Sequence, residues 1–404
     1  VVTFDLSSSG SFDYRILNDI RYLRGRDATT MIYDSTNSQV VIFGGAGRGL
    51  PSYAYHSTET WKMNTSGTPV WRDAGVEMGP LLREMSNMVY DPLNNRVVMS
   101  FGLTTDKALN DSWQLSLPSP GRSQWTNLSP SGSPPTIRSG TSGVYDDLND
   151  RMVIFGGRVQ TETELNDVQF LSLPAGGGTP AWSTPTVSGS PPVARWGHTA
   201  IYDPNRDRMI VFGGVEEAGG DTYFQDTYEL TLPSSGNPTW RTMAPGGTLP
   251  PERSTHVAVF DPDRGDGTAR MIVFGGGTAS NIYNDVWELT LPASGDGTWT
   301  QLSPSGDLPQ TRRNSTAAYD SANDTMIVFG GRRISAPFYD DTWKLSLGSS
   351  PAWTRLDPQV AVPATVAVTG LSQGVSYHWQ AWTTGDIGDS SKVSYVGNLE
   401  TAAD

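Results

Sequence analysis

The sequence predicts an all-β fold: a six-bladed β-propeller with four antiparallel strands per blade. Three observations carry this expectation. First, a pattern of Arg, apolar strand, Asp-containing turn, second apolar strand and Gly-Gly recurs six times along the 404 residues. Second, the copies begin at Arg26, Arg83, Arg138, Arg195, Arg253 and Arg313, at intervals of 57, 55, 57, 58 and 60 residues. A period of about 50 residues suits one four-stranded blade, which needs a neighbour on each side to bury its faces. Third, 44 Gly, 28 Pro and only 17% charged residues suit short strands joined by tight turns, with no long helical pattern.

The fourth copy shows each element most clearly. Ala200 to Tyr202 and Met209 to Phe212 are β-rich runs separated by DPNRD, a turn sequence, so they form a hairpin. Gly213-Gly214 ends the second strand, where backbone of positive φ or close approach favours Gly. Asp226 to Leu232 alternates with period two as a third strand, and Pro233 stops it. Trp240 marks a short fourth strand. Its counterparts are Trp71, Trp125, Trp182, Trp299 and Trp353, and the expected role of all six is blade packing.

These residues resemble the kelch repeat, which combines a blade-start Arg, paired apolar strands, Gly-Gly, a third-strand aromatic and a later Trp. The resemblance covers residues 26–356. Blade 2 departs from it with Phe101-Gly102-Leu103 in place of Gly-Gly, and blade 3 has Gln169 at the aromatic position. Residues 1–25 fit no blade. Residues 357–404 read as a linker followed by part of a fibronectin type III-like segment, a resemblance carried by Thr369-Gly-Leu to Tyr377. The chain starts at Val1 without Met or a signal peptide, so the expectation is a piece of a larger protein, secreted or on a bacterial cell surface.

Charge and composition exclude several functions. A net charge of −14 argues against a nucleic acid partner, and no apolar run approaches the roughly 18 residues of a membrane-spanning helix. Zero Cys removes disulfides, thiolate metal sites and Cys nucleophiles, and with them a galactose-oxidase type of copper site. No Gly-x-Ser-x-Gly, His-Glu-x-x-His or phosphate loop is present, so no catalytic residue is assigned. His198 and His256 follow a blade-start Arg by three residues, where the repeat otherwise places Thr or Ser; packing and hydrogen bonding account for them. No cofactor is expected beyond a weak calcium candidate, Asp261, Asp263 and Asp266 in the blade 5 hairpin, which lacks the closing bidentate Glu.

In an up-and-down blade, the blade-start Arg, the loop after Gly-Gly and the acid opening strand three share one face. Ring closure sets blade 6 beside blade 1. The candidate ligand-binding residues there are Arg26, Arg48, Tyr53, Tyr55, Arg313, Arg332, Arg333 and Tyr339. Arginine forks suit carboxylate or sulfate, and aromatic faces suit sugar rings. In kelch domains that grip acidic peptides, blade-start arginines line the pocket, and the resemblance implies the same here. The competing reading pairs each blade-start Arg with Glu59, Asp111, Asp167, Asp226, Asp285 or Asp341 as structural ion pairs.

The expected function is an extracellular adhesion module for an acidic peptide or anionic glycan. The alternatives are an architectural subunit of a surface filament that self-associates, and a kelch-type carbohydrate-active enzyme such as a sialic acid mutarotase.

Overall fold

The computed structural model describes residues 23–48, 54–76, 78–119, 121–159, 163–334, 338–356, 359–360, 376–383 and 393–400. Two units result, one built on residues 23–360 and one on the two chain ends. In the second unit, Ser376–Thr383 and Val393–Glu400 form an antiparallel hairpin. The rest of the expected fibronectin-like segment, and residues 1–22, lie outside the described residues.

The first unit is the six-bladed propeller. Its inner strands are Thr30–Asp34, Asn87–Asp91, Ser142–Asp146, Thr199–Asp203, Val257–Asp261 and Thr316–Asp320. Each contacts the inner strand of the next blade, and the sixth contacts the first. The second strands have a neighbouring blade on both faces, so they read as unbroken apolar runs: Arg208–Phe212 is buried at every position. Fourth strands lie at the periphery, where in Thr239–Met243 the alternation leaves Trp240 and Met243 buried and the rest exposed.

The tryptophans join the blades. Each stacks on the Phe that ends or follows the second strand of the preceding blade: Phe43 with Trp125, Phe101 with Trp182, Phe155 with Trp240, Phe212 with Trp299, Phe274 with Trp353 and Phe329 with Trp71. Aromatic pairs at such separations, 4.8 to 5.6 Å between ring centroids, add attraction beyond the area they bury. Blade 2 keeps this contact by an unusual route. Ser100 ends the strand, and Phe101 occupies the first glycine position at φ 66°, delivering its ring to Trp182 one residue late.

Two devices close the ring. After blades 3, 4 and 5, linker residues add a fifth, parallel strand to the following blade, as Ser188-Gly189 does along Thr239-Trp240. Gln359-Val360 repeats this on Val70-Trp71 and so fastens the end of blade 6 to blade 1. The second device is a belt of six backbone hydrogen bonds around the axis. Ala28 donates to Asn314, Met85 to Ala28, Gly140 to Met85, Gly197 to Gly140, Thr255 to Gly197 and Asn314 to Thr255, returning to the start. All six residues have φ between 51° and 64°. Beyond the belt, the six inner strands line a central cavity whose wall includes His198 and His256.

Candidate functional site

The belt residue stands two positions after each blade-start arginine, and the arginines form a layer of their own. Arg26, Arg83, Arg138, Arg195, Arg253 and Arg312 are no more than 1% exposed. The sixth member is Arg312, a correction to the sequence reading, which began the last repeat at Arg313. Each Nε donates to the carbonyl two residues back, as Arg312 does to Gln310, and each Nη1 donates to the carbonyl of the first Gly position. The guanidinium then meets the acid opening strand three. Arg83 binds Asp111 at 2.6 and 2.8 Å, Arg312 binds Asp341 at 2.7 and 2.8 Å, and Arg26 reaches Glu59 at 2.6 Å.

Outside blade 4, the third-strand residue adds a donor to each network. The indoles of Trp113, Trp287 and Trp343 donate to the same carboxylates, and Gln169 Nε2 does so in blade 3. Gln169 therefore replaces the aromatic residue as a donor. Burial alone raises the carboxylate pKa, but the hydrogen bond and charge of the arginine outweigh it, so Asp111, Asp167 and Asp341 titrate below the usual range. Aromatic faces cover several of these guanidinium groups: Phe224 over Arg195, Tyr283 over Arg253 and Tyr339 over Arg312. Two candidate ligand residues, Arg26 and Tyr339, are thus placed inside this ion-pair layer.

The next residue in each repeat builds a different layer. Asp27, Glu84, Ser139, Trp196, Ser254 and Arg313 each stand in the chain between a buried arginine and its belt residue. Each forms a β-bridge with the residue that follows the turn: Ala46, Leu103, Arg158, Val215, Gly277 and Arg332. This charged crown is as irregular as the arginine ring is regular. Arg332 Nε lies 2.5 Å from Asp27 Oδ2. Arg158 binds Glu217 at 2.9 Å and stacks 3.9 Å above the Trp196 ring. Blade 5 contributes only Ser254 and Gly277.

Three members of the crown are poorly satisfied. Trp196 is 8% exposed and its indole Nε1 has no hydrogen-bond partner; neither has Arg313 Nε. Burial and the nearby Arg332 lower the Arg313 pKa, and the Tyr223 phenol is within electrostatic reach of it. Among the described residues the one ion-pair contact of Glu84 is with His56, at 3.8 Å between Oε1 and Nε2. Burial, reinforced by Asp27, raises the Glu84 pKa to about 7 against the pull of Arg332 and Arg158. Burial also lowers the pKa of His56.

Of the other candidate residues, Arg313 and Arg332 come together in the crown, and Arg333 is exposed beside it. Arg48 and Tyr55 sit on the two strands of a small ladder, Ala46–Arg48 with Ala54–His56, while their side chains and all of Tyr53 lie outside the described residues. The three calcium candidates are dispersed in their roles. Asp261 is fully buried and held by Arg270 at 2.7 Å, whereas Asp263 and Asp266 accept backbone amides of their own exposed turn. Among the described residues no three His, Asp or Glu side chains group as metal ligands.

Sequence reasoning missed Glu84, Asp27 and Trp196. The signal was present, because the position after the repeated Arg is the one that changes sign from blade to blade. His198 and His256 pack edge-on against Phe155 and Phe212, and Thr199 Oγ1 bonds His256 Nε2 at 2.8 Å.

Comparison with known proteins agrees with this architecture. The KLHDC2/KLHL20/DRC7 Kelch-repeats domain family matches residues 177–373. Adagio-like protein 3 of Oryza sativa subsp. japonica is 28% identical over 330 residues, covering 78% of this chain and 48% of that protein. Human host cell factor 2 is 29% identical over 189 residues, covering 45% of this chain and 23% of its own length. The chain thus spans about half or less of these relatives. The solved structure of YjhT superposes with a TM-score of 0.59 at 14% identity, over 82% of this chain and 97% of that one, a likeness of fold. The chain carries a kelch-repeat domain folded as a six-bladed β-propeller.

Proposed function

We propose that the charged crown is a recognition site for an acidic peptide, and that the propeller is a binding module working outside the cell. One observation carries the binding site: Arg313 is a half-buried cation with no carboxylate partner among the described residues, on a protein of net charge −14. An unpaired guanidinium held partly out of water is a ready partner for a carboxylate, to which it can donate in parallel. The aromatic surfaces of Tyr223 and Phe338 beside the arginines add contact area; Phe338 lies 5.8 Å from the Arg332 guanidinium.

The test is fluorescence anisotropy with acidic peptides and anionic glycans at low and high salt. Peptide binding that weakens with salt and falls at least tenfold in Arg313→Ala supports the reading. Binding of glycans alone moves the ligand to that class, and peptide binding indifferent to Arg313 refutes the proposed site.

A second reading, carbohydrate-active chemistry, is favoured by Glu84, a carboxyl poised near neutrality beside His56 and close to arginines. It requires catalysed anomer exchange of an anionic sugar, followed by NMR, that Glu84→Gln abolishes.

A further inference from the structure

Charges in the crown are mostly matched within it. Asp27 takes Arg332, and Glu217 takes Arg158. Two half-buried groups remain outside these pairs, and they have opposite signs. Among the described residues, the Arg313 guanidinium on blade 6 has no carboxylate within ion-pair distance and its Nε has no acceptor, and the Glu84 carboxylate on blade 2 has His56 alone within that distance, at 3.8 Å. Both interact electrostatically with the same Asp27 and Arg332, and blade 1 lies between their blades. A half-buried carboxylate without a donor is costly, as is a half-buried guanidinium without an acceptor, and a single ligand of matching polarity relieves both.

We infer that Arg313 and Glu84 are the two poles of one site, which takes a peptide segment presenting a carboxylate to Arg313 and a lysine ammonium to Glu84. This inference rests on the acidic-peptide reading above and narrows it to a dipolar motif. The groups facing Glu84 are Asp27, His56, Arg158 and Arg332. The two arginines already hold carboxylates and burial lowers the His56 pKa, so Glu84 is the facing group whose titration is centred between pH 6 and pH 8. Its pKa of about 7 gives opposite signs for two ligands. A peptide with Lys at the Glu84 pole binds the ionised carboxylate, so its affinity rises with pH. A peptide with acid alone is repelled by that carboxylate, so its affinity falls.

The experiment is calorimetric titration of the full chain with two sets of acetylated peptides, Glu with Ser and Glu with Lys, at several spacings, at pH 6, 7 and 8. Neither peptide side chain titrates in that window. The expected result is a Glu/Lys peptide that tightens about tenfold from pH 6 to pH 8, following the ionised fraction of a group near 7. Glu84→Gln removes both the slope and the preference for Lys, while Arg313→Ala abolishes binding of either set. Equal binding of both sets with affinity falling as pH rises overturns the two-pole site and leaves the acidic-peptide reading standing. Absence of binding to a folded chain removes both. The wild-type pH profile decides the matter even if a variant does not fold.

Discussion

Arg312 and Arg313 are consecutive, yet they belong to layers governed by opposite requirements. Arg312 is fully buried, donating four hydrogen bonds to Gln310, Gly330 and Asp341 under an aromatic face from Tyr339. Arg313 is half-buried, faces another arginine and holds no acid. The first residue recurs in all six blades because every blade has the same turn to fasten. The second varies because a ligand approaching one face needs different groups at different angles. In a repeat protein, regularity marks the scaffold and departure from it marks the site.

The largest expected effect tests that division. Arg312→Ala leaves Asp341 buried without its partner and should cost about 3–5 kcal/mol, as breaking a buried pair does. Arg313→Ala removes no ion pair and relieves a partly desolvated charge, so it should not lower stability. Urea unfolding of both variants provides the measurement. Equal losses would erase the distinction between the layers.

Glu84 and Glu59 sharpen the comparison among carboxylates. Glu59 is held by Arg26, whereas Glu84 is shifted from an ordinary 4.5 to about 7 by burial and Asp27. Because the folded pKa is the higher one, the native state retains a proton that the unfolded chain has lost between those values. Stability therefore declines as pH rises through that window. The full shift corresponds to about 3 kcal/mol, so Glu84→Gln should be more stable than wild type at pH 8 by up to about that amount. At pH 4 the two should coincide. A variant no more stable at pH 8 would show that Glu84 ionises freely.

The histidines give the converse sign. Burial, then Arg195, lowers the His198 pKa to about 3, and His256 is lowered by burial, Arg253 and His198. Below about pH 6.5 the unfolded chain takes up protons that the native state refuses, so each histidine costs about 1.4 kcal/mol per pH unit there. His198→Thr, which installs the residue found at Thr29 and Thr141, should roughly halve the loss between pH 6.5 and pH 5.5. An unchanged acid slope in thermal melts would mean that the imidazole becomes protonated in place.

The scaffold was legible because it repeats: six copies declared the blades, the tryptophan contacts and the competing ion-pair reading of the arginines. Registration failed at one residue. Two arginines adjoin at 312 and 313, and only the three-dimensional path of Gln310 and Gly330 shows which one turns inward. The crown was harder to read because its members are unlike one another and meet across blades: Asp27 with Arg332, Arg158 with Glu217. No spacing along the chain encodes those meetings. Phe101 illustrates a third limit, since a bulky residue at a position of positive φ is tolerated only because its ring reaches Trp182.

The smallest effect concerns the belt. Four of its six residues are not glycine: Ala28, Met85, Thr255 and Asn314 hold φ of 51° to 55°. An L-residue in this left-handed region is strained by about 1–2 kcal/mol, of which asparagine escapes part because its short polar side chain bonds locally. The Asn314 side chain also donates across the blade 6 and blade 1 seam to Asp27 Oδ2 at 3.3 Å. Ala28 has no such compensation. Ala28→Gly releases the strain but gives the unfolded chain more freedom, worth about 0.4–1 kcal/mol in the opposite direction. The net gain should be about 0.5 kcal/mol, visible as a small rise in Tm. Gly140→Ala is the reverse experiment, and it should lose more, because a Cβ there meets the Trp196 ring at 3.0 Å as well as the unfavourable φ of 64°. A gain for Gly140→Ala would mean that the belt relaxes freely; the crown residues beside it would then lack the fixed backbone on which a two-pole site depends.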